Sequence, residues 1–220
     1  MDASIYNSTR SVRMTNSQVI IAVFGVLILG GVFYFFSMDR RYIDKPRTGS
    51  AVIAFGDSLI EGVGSSQGND LVSLLSQELK IPIINAGISG DTTFSALTRV
   101  SLDVLNHDPK IVILLLGGND AIRRYKPLDT FRNLEEIIAR IHAQGSAVLL
   151  LGVRGGFFSD AYKKEFKSLA QKTKVSYIPD VLSGVFGRSR YMYDAIHPND
   201  EGYRIIADRI KPILLEMLNH

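Results

Sequence analysis

The sequence has 220 residues, of which 46% are hydrophobic, and it carries a formal net charge of +3. This length suits one globular domain of ordinary size with an additional segment. The chain contains no cysteine, which excludes disulfide bonds, thiolate metal sites and a cysteine nucleophile.

The excess of positive charge lies near the N-terminus. Residues 1–49 hold six of the 25 basic and three of the 22 acidic residues, so residues 50–220 carry 19 of each. A formally neutral domain lacks the electrostatic footprint of nucleic-acid binding, and we predict no nucleic-acid partner. The basic residues near position 40 suit either anionic lipid headgroups or a solvated tether.

An apolar segment over residues 19–36 contains no charged residue. As a helix it would span about 27 Å, close to the thickness of a bilayer core. We therefore predict a tail over residues 1–18, a transmembrane anchor over 19–38 and a basic linker over 39–49. The alternative is a cleaved signal peptide, but no small-residue cleavage site follows the apolar segment.

The side of the membrane that the C-terminal domain occupies depends on which rule is applied. Arg10 and Arg13 precede the apolar segment, whereas Arg40, Arg41 and two further basic residues follow it. This distribution favours a cytoplasmic domain. Long domains are nevertheless translocated regardless of such charges, so both sides stay open on the sequence alone.

From residue 50 onward, apolar runs alternate with amphipathic stretches. We predict strands over residues 51–55, 83–85, 111–116, 147–152 and 176–178, and helices over 70–79, 92–105, 128–144, 159–174 and 201–218. This succession predicts a three-layer α/β/α domain over residues 50–220, with a flavodoxin-like five-stranded parallel sheet in the order 2-1-3-4-5. Functional residues are then expected on the loops that follow strands.

The first predicted strand runs into Gly56-Asp57-Ser58, which brings a serine to the edge where open α/β sheets bind ligands. The same residues also suit an ordinary turn or helix start. The segment does not fit Gly-x-Ser-x-Gly, and neither a dinucleotide fingerprint nor a phosphate loop is present in the sequence. We predict no cofactor and no metal.

The loops after the second and third predicted strands supply hydrogen-bond donors. Gly90 precedes a threonine-rich helix start, where backbone N–H groups suit an anion. Asn119 follows two glycines, and its side-chain amide can donate to a developing oxyanion without bringing charge. Both segments are also ordinary turn sequences, with Asp91 or Thr92 as a helix cap.

A candidate base lies near the C-terminus, in Asp194-Ala195-Ile196-His197-Pro198. Pro198 disfavours helical geometry at His197, which places this segment in the loop before the last helix. Asp194 and His197 are three positions apart, close enough for the carboxylate to fix the imidazole tautomer. His197 is therefore the histidine that we expect to act as a base.

These four segments together resemble the GDSL, or SGNH-hydrolase, family of esterases and lipases. The resemblance covers nearly all of residues 50–220 and implies a nucleophile Ser58, a base His197 and an orienting Asp194. It also implies an oxyanion hole formed by the backbone N–H groups of Ser58 and Gly90 and by the Asn119 side chain. The sequences of the second and third segments resemble those of the periplasmic thioesterase and lysophospholipase subgroup. This resemblance implies a periplasmic domain attached to the bacterial inner membrane.

The resemblance predicts hydrolysis of a small acyl ester, thioester or lysophospholipid. A second hypothesis within the family is the removal of O-acetyl groups from carbohydrate. A hypothesis from a different functional class is a noncatalytic, membrane-tethered binding module. The residues that we expect to line the substrate groove follow the carboxyl ends of strands: Asp57, Ile122, Tyr125, Gly155, Phe157 and Phe158.

Overall fold

The computed structural model describes residues 42–153 and 160–219. Within these ranges the strands are β1 (Ala51–Gly56), β2 (Ile83–Gly87), β3 (Pro109–Leu115), β4 (Ala147–Leu151) and β5 (Ser176–Ile178). The α-helices are α1 (Ser58–Glu61), α2 (Leu71–Leu79), α3 (Thr93–Asp103), α4 (Gly118–Ile122), α5 (Pro127–Ala143), α6 (Asp160–Thr173) and α7 (Asp200–Leu218). Two single 3₁₀ turns cover Leu105–His107 and Ser189–Tyr191.

The five strands form one parallel sheet in the order β2-β1-β3-β4-β5. This confirms the predicted strand order and the predicted α/β class. The order reverses at β1, with β2 on one side of it and β3 on the other. Ligands bind α/β sheets at such reversal points, beyond the carboxyl ends of the strands.

Strands β1, β3 and β4 are buried on both faces, and their successive side chains point to opposite sides of the sheet. Val52 and Ala54 of β1 belong to one hydrophobic cluster, which α2 and α7 cover. Ile53 and Phe55 belong to the other, which α3, α5 and α6 cover. The result is the predicted three-layer arrangement.

Polar side chains start several helices on the site side of the sheet. Asp57 caps α1, Asp70 caps α2 and Asn199 caps α7, each accepting a backbone N–H of the first turn. Thr92 forms a capping box with Ser95 at the start of α3. These caps satisfy N–H groups that a helix leaves unpaired, and they fix where each loop ends.

The structure differs from the predicted elements mainly at short segments and boundaries. The helices α1 and α4 were not predicted, since four or five residues are too few for a helical period to show. Strand β3 begins at Pro109 rather than at 111, which a strand's first position allows because proline lacks only the N–H.

The predicted tail over 1–18 and anchor over 19–38 lie outside the described residues. Part of the predicted linker is described and packs on the domain, where Asp44 Oδ2 accepts from the Val148 N–H at 2.8 Å and contacts His142 Nε2 at 2.8 Å. Over residues 42–153 and 160–219 no helix is long and apolar enough to cross a membrane.

Candidate active site

Ser58 stands at the carboxyl edge of the sheet, directly beyond the end of β1. It is the first residue of α1, so the structure places it in a short helix rather than in a loop. The Asp57 carboxylate accepts from the Leu59 N–H at 3.0 Å and thereby holds the start of this helix. Gly87, at the end of β2, lies so close that a Cβ there would meet the Glu61 nitrogen at 2.1 Å. The turn that carries Ser58 is therefore fixed from both sides.

Ser58, His197 and Asp194 form a hydrogen-bonded series. Ser58 Oγ lies 3.0 Å from His197 Nε2, and His197 Nδ1 lies 2.8 Å from Asp194 Oδ2. An ionised carboxylate can only accept, so Nδ1 carries a proton and donates. In the neutral imidazole Nε2 is then an acceptor that faces the serine hydroxyl. The structure brings these three predicted residues together.

The loop that carries Asp194 and His197 is held by its own hydrogen bonds. Asp194 Oδ1 accepts from the backbone N–H groups of Ile196 and His197, both at 2.7 Å. The bond from the imidazole and these two backbone bonds lower the pKa of Asp194 to about 2. The carboxylate therefore stays ionised at neutral pH and keeps the imidazole in one tautomer.

Gly90 and Asn119 lie in the segments that follow β2 and β3, and the Asn119 side chain contacts the residue after Gly90. Asn119 is part of α4, and its Nδ2 donates to Asp91 O at 2.9 Å. The amide has a second hydrogen, which stays available. In the part of the chain that the structure describes, the backbone N–H groups of Ser58 and Gly90 donate to no acceptor. Gly90 has a φ of +78°, a conformation that favours glycine.

Three buried carboxylates surround this region: Asp57, Asp91 and Asp120. Asp120 accepts from the Thr93 backbone N–H at 2.9 Å and from the Thr93 hydroxyl at 2.6 Å, which joins α4 to α3. Burial, with a further contribution from the other two carboxylates, raises the pKa of Asp57 to about 7. Burial and the neighbouring carboxylates therefore already disfavour negative charge on Asp57, at a place where a chemical step would add negative charge.

The predicted substrate-lining residues fall into three groups. Tyr125 lines a cavity of about 540 Å³ together with Phe94 and Asp120, next to the helix that carries Asn119. Ile122 is exposed on the surface of that helix. The Asp57 side chain is only 3% exposed and caps α1, so it supports the serine from inside the protein rather than facing a groove. Gly155, Phe157 and Phe158 lie outside the described residues.

Two arginines at the site were not predicted. Arg99 on α3 is nearly buried and contacts the Asp91 carboxylate at 2.7 Å. Arg123, at the end of α4, donates to Gly90 O at 3.0 Å. The only sequence signals were an arginine beside Ala96 and Val100, two core residues of α3, and the four-residue spacing of Arg123 from Asn119.

A parallel α/β sheet with hydrogen-bonded serine, histidine and aspartate side chains at its carboxyl edge defines the class of α/β hydrolytic enzymes. Residues 54–205 match the model of the GDSL-like lipase/acylhydrolase family. The chain belongs to this family and is a hydrolase acting on ester bonds.

Known proteins of similar sequence and structure agree. The chain is 30% identical over 177 residues to thioesterase 1/protease 1/lysophospholipase L1 of Escherichia coli K12, covering 77% of this chain and 85% of that protein. It is 29% identical to esterase TesA of Pseudomonas aeruginosa, covering 76% of this chain and 89% of the relative. The solved structure of a TesA superposes with a TM-score of 0.72 at 28% identity, covering 76% and 99% of the two chains.

Proposed function

We propose that the chain is a serine esterase that hydrolyses acyl esters through Ser58, His197 and Asp194. The observation that carries the proposal is the 3.0 Å contact between Ser58 Oγ and His197 Nε2, across 139 residues of sequence. A hydroxyl facing an imidazole acceptor whose other nitrogen donates to a carboxylate is the arrangement that activates serine.

In the proposed first step, Ser58 Oγ attacks the ester carbonyl while His197 Nε2 takes the hydroxyl proton. The C–O bond to the alcohol then breaks, and the alcohol leaves with that proton. Water repeats both transfers on the acyl-serine, which releases the acid and restores the hydroxyl. Asp194 stabilises the imidazolium that exists between these transfers.

The negative oxygen of each tetrahedral intermediate needs donors in place before the reaction. We assign this role to the backbone N–H groups of Ser58 and Gly90 and to the second amide hydrogen of Asn119. Two observations support this assignment. Within the described residues the two N–H groups donate to no acceptor, and Asn119 donates only one of its two amide hydrogens, to Asp91 O. Each donor contributes about 3 kcal/mol of transition-state stabilisation.

The substrates that we propose are short to medium acyl esters, thioesters and lysophospholipids. Phe94 and Tyr125 give the cavity beside Asn119 an aromatic wall, which suits an acyl chain. The relatives named thioesterase 1/lysophospholipase L1 and arylesterase support the same substrate class. We also propose that residues 19–38 anchor the chain in the bacterial inner membrane, with the domain in the periplasm.

The test is reaction with a fluorophosphonate probe and hydrolysis of p-nitrophenyl esters from acetate to palmitate. Ser58→Ala should abolish labelling and lower kcat by several orders of magnitude with an unchanged thermal unfolding midpoint. The control is Ser65→Ala, which removes a neighbouring serine hydroxyl bonded to Gly62 O. Activity retained in a folded Ser58→Ala protein would contradict the proposal, and a maximum at acetate alone would favour O-deacetylation over longer acyl esters.

A further inference from the structure

Arg99 lies behind the candidate oxyanion site with all three nitrogens of its guanidinium engaged. Its Nη2 donates to Gly56 O at 3.0 Å, and its Nε donates to Asp91 Oδ2 at 2.8 Å. Its Nη1 donates to Asp103 Oδ2 at 2.8 Å, and the guanidinium stacks 4.3 Å from the centre of the Phe55 ring. The side chain is 13% exposed. Arg99 is therefore a nearly buried cation whose three guanidinium nitrogens all have hydrogen-bond partners.

The partners of Arg99 are the backbone segments that carry the proposed donors. Gly56 ends β1 two residues before Ser58, and its carbonyl also accepts from the Ile88 N–H of the loop that carries Gly90. Asp91 directly follows Gly90, and its carbonyl accepts the Asn119 amide at 2.9 Å. One guanidinium therefore fixes the relative positions of all three segments.

Charge gives Arg99 a second role at the same place. Asp57, Asp91 and Asp120 are buried close together, and the oxyanion adds a further negative charge. Among the residues that the structure describes, Asp91 has an ion pair with Arg99, whereas Asp57 and Asp120 have none. Without Arg99, the carboxylate next to Gly90 would be a buried, uncompensated charge, which is costly.

We propose that Arg99 is a positioning residue of the oxyanion hole. Through Gly56 and Asp91 it holds the Ser58 and Gly90 N–H groups and the Asn119 amide in the arrangement that the tetrahedral intermediate needs. It also neutralises the Asp91 carboxylate beside them. The inference rests on the proposed function and adds a residue whose side chain does not touch the substrate.

A positioning defect appears in the transition state and little in substrate binding. We expect Arg99→Met to lower kcat about a hundredfold while KM changes less than threefold. Binding of a boronic acid, which mimics the tetrahedral intermediate on Ser58, should weaken in parallel with kcat. Arg99→Lys should recover only part of the activity, because an ammonium group lacks the planar set of donors.

Rescue separates positioning from a purely structural role. In Arg99→Ala the side chain leaves a space of guanidinium shape lined by Asp91 and Phe55, so added guanidinium chloride at millimolar concentration should raise kcat about tenfold or more. Sodium chloride at the same ionic strength should not. Asp91→Asn should reduce the effect of Arg99→Met, since the two variants interrupt the same contact.

The matched control is Arg140→Met, which removes an exposed arginine and its ion pair with Glu136 on α5. Its kcat should stay within twofold of the wild type. The inference is overturned if Arg99→Met keeps full kcat. It is also overturned if the loss of kcat only parallels a lower unfolding midpoint and guanidinium does not raise the kcat of Arg99→Ala. Failure of the proposed function would look different, because the wild type itself would then show no Ser58-dependent hydrolysis.

Discussion

At the scale of single residues, the local environment shifts the pKa values of two aspartates in opposite directions. Asp194 is half exposed and accepts three hydrogen bonds, and its pKa falls to about 2. Asp57 is buried with one backbone donor near two other carboxylates, and its pKa rises to about 7. Hydrogen bonding to the charged form explains the first shift, and loss of solvation explains the second. Asp194 is therefore ionised at every pH from 5 to 8, whereas Asp57 changes its charge within this pH range.

The raised pKa of Asp57 predicts a stability that depends on pH. Between pH 4 and 7 the folded state binds more protons than the unfolded state, so stability falls as pH rises. Between pH 5 and 8 we expect this group to remove about 3 kcal/mol from the free energy of unfolding. Asp57→Asn keeps a capping oxygen and should remove this dependence.

Urea unfolding at pH 5 and pH 8 measures the Asp57 effect. The control is Asp129→Asn, which changes an exposed carboxylate in the first turn of α5 and should leave the wild-type pH dependence in place. Parallel pH dependence in the wild type and in Asp57→Asn would contradict the prediction.

The Asn119 amide should matter for rate rather than for binding. Asn119→Ala removes one proposed oxyanion donor and the bond to Asp91 O, so kcat should fall by about 10²–10³ with a small change in KM. Asn106→Ala is the control, because Asn106 is exposed in the 3₁₀ turn before β3, at the opposite edge of the sheet. Steady-state kinetics on p-nitrophenyl butyrate tests both variants. An unchanged kcat in Asn119→Ala would exclude the assigned role.

At the scale of elements, long periodic segments were predictable and short ones were not. Val52, Ile53 and Ala54 form part of a continuous apolar run because their side chains alternate between two hydrophobic clusters. Such runs indicate buried parallel strands, so the strand order and the layers followed from general rules. The helices α1 and α4 depend on caps and tertiary contacts. The same limit hid Arg99, whose bond to Gly56 O spans 43 residues and targets a backbone atom that no local pattern marks.

Ser58, Asn119 and His197 were predictable for a related reason. Ser58 and Asn119 come just after a glycine at the end of an apolar run, and His197 precedes a proline, which are local features that the sequence displays. The buried position of the Asp57 side chain was not predictable, because it depends on how α1 turns back onto the sheet. Local chemistry thus marks the reactive groups, while their supports emerge only from packing.

One buried hydroxyl joins the last helix to the loop after Ser58. Tyr203 on α7 is fully buried and donates to Val63 O at 2.8 Å. Tyr203→Phe leaves that carbonyl without this donor and should lower the free energy of unfolding by about 1–2 kcal/mol. Tyr42→Phe is the control, because Tyr42 is 52% exposed. Chemical denaturation of both variants tests this, and equal stabilities would contradict it.

At the scale of the whole molecule, residues before position 50 pack on the folded domain. The described residues from 42 onward belong to one compact unit. Asp44 binds the Val148 N–H and His142, and the Arg47 N–H donates to Gly145 O at 2.8 Å. These contacts lie at the amino ends of the strands, opposite Ser58. The basic residues 45 and 47 therefore belong to the folded domain.

These contacts predict different behaviour for two shortened chains. A chain starting at Tyr42 should fold with the catalytic constants of the full-length protein. A chain starting at Ser50 loses Asp44 and leaves the buried Val148 N–H unpaired, so its free energy of unfolding should fall by about 3 kcal/mol. Asp44→Ala in the longer chain should reproduce much of that loss. Equal unfolding free energies for the two chains would show that residues 42–49 contribute nothing to stability.

The full-length chain tests the proposed anchor in the same series. If residues 19–38 cross a bilayer, the full-length protein should stay in the membrane fraction after extraction with alkaline carbonate, because only detergent removes an apolar segment that spans the bilayer. The chain starting at Tyr42 lacks residues 19–38 and should therefore leave the membrane fraction under the same treatment. Release of the full-length protein by carbonate would contradict the anchor. A shortened N-terminus on the full-length protein, measured by intact mass, would instead identify a cleaved signal peptide.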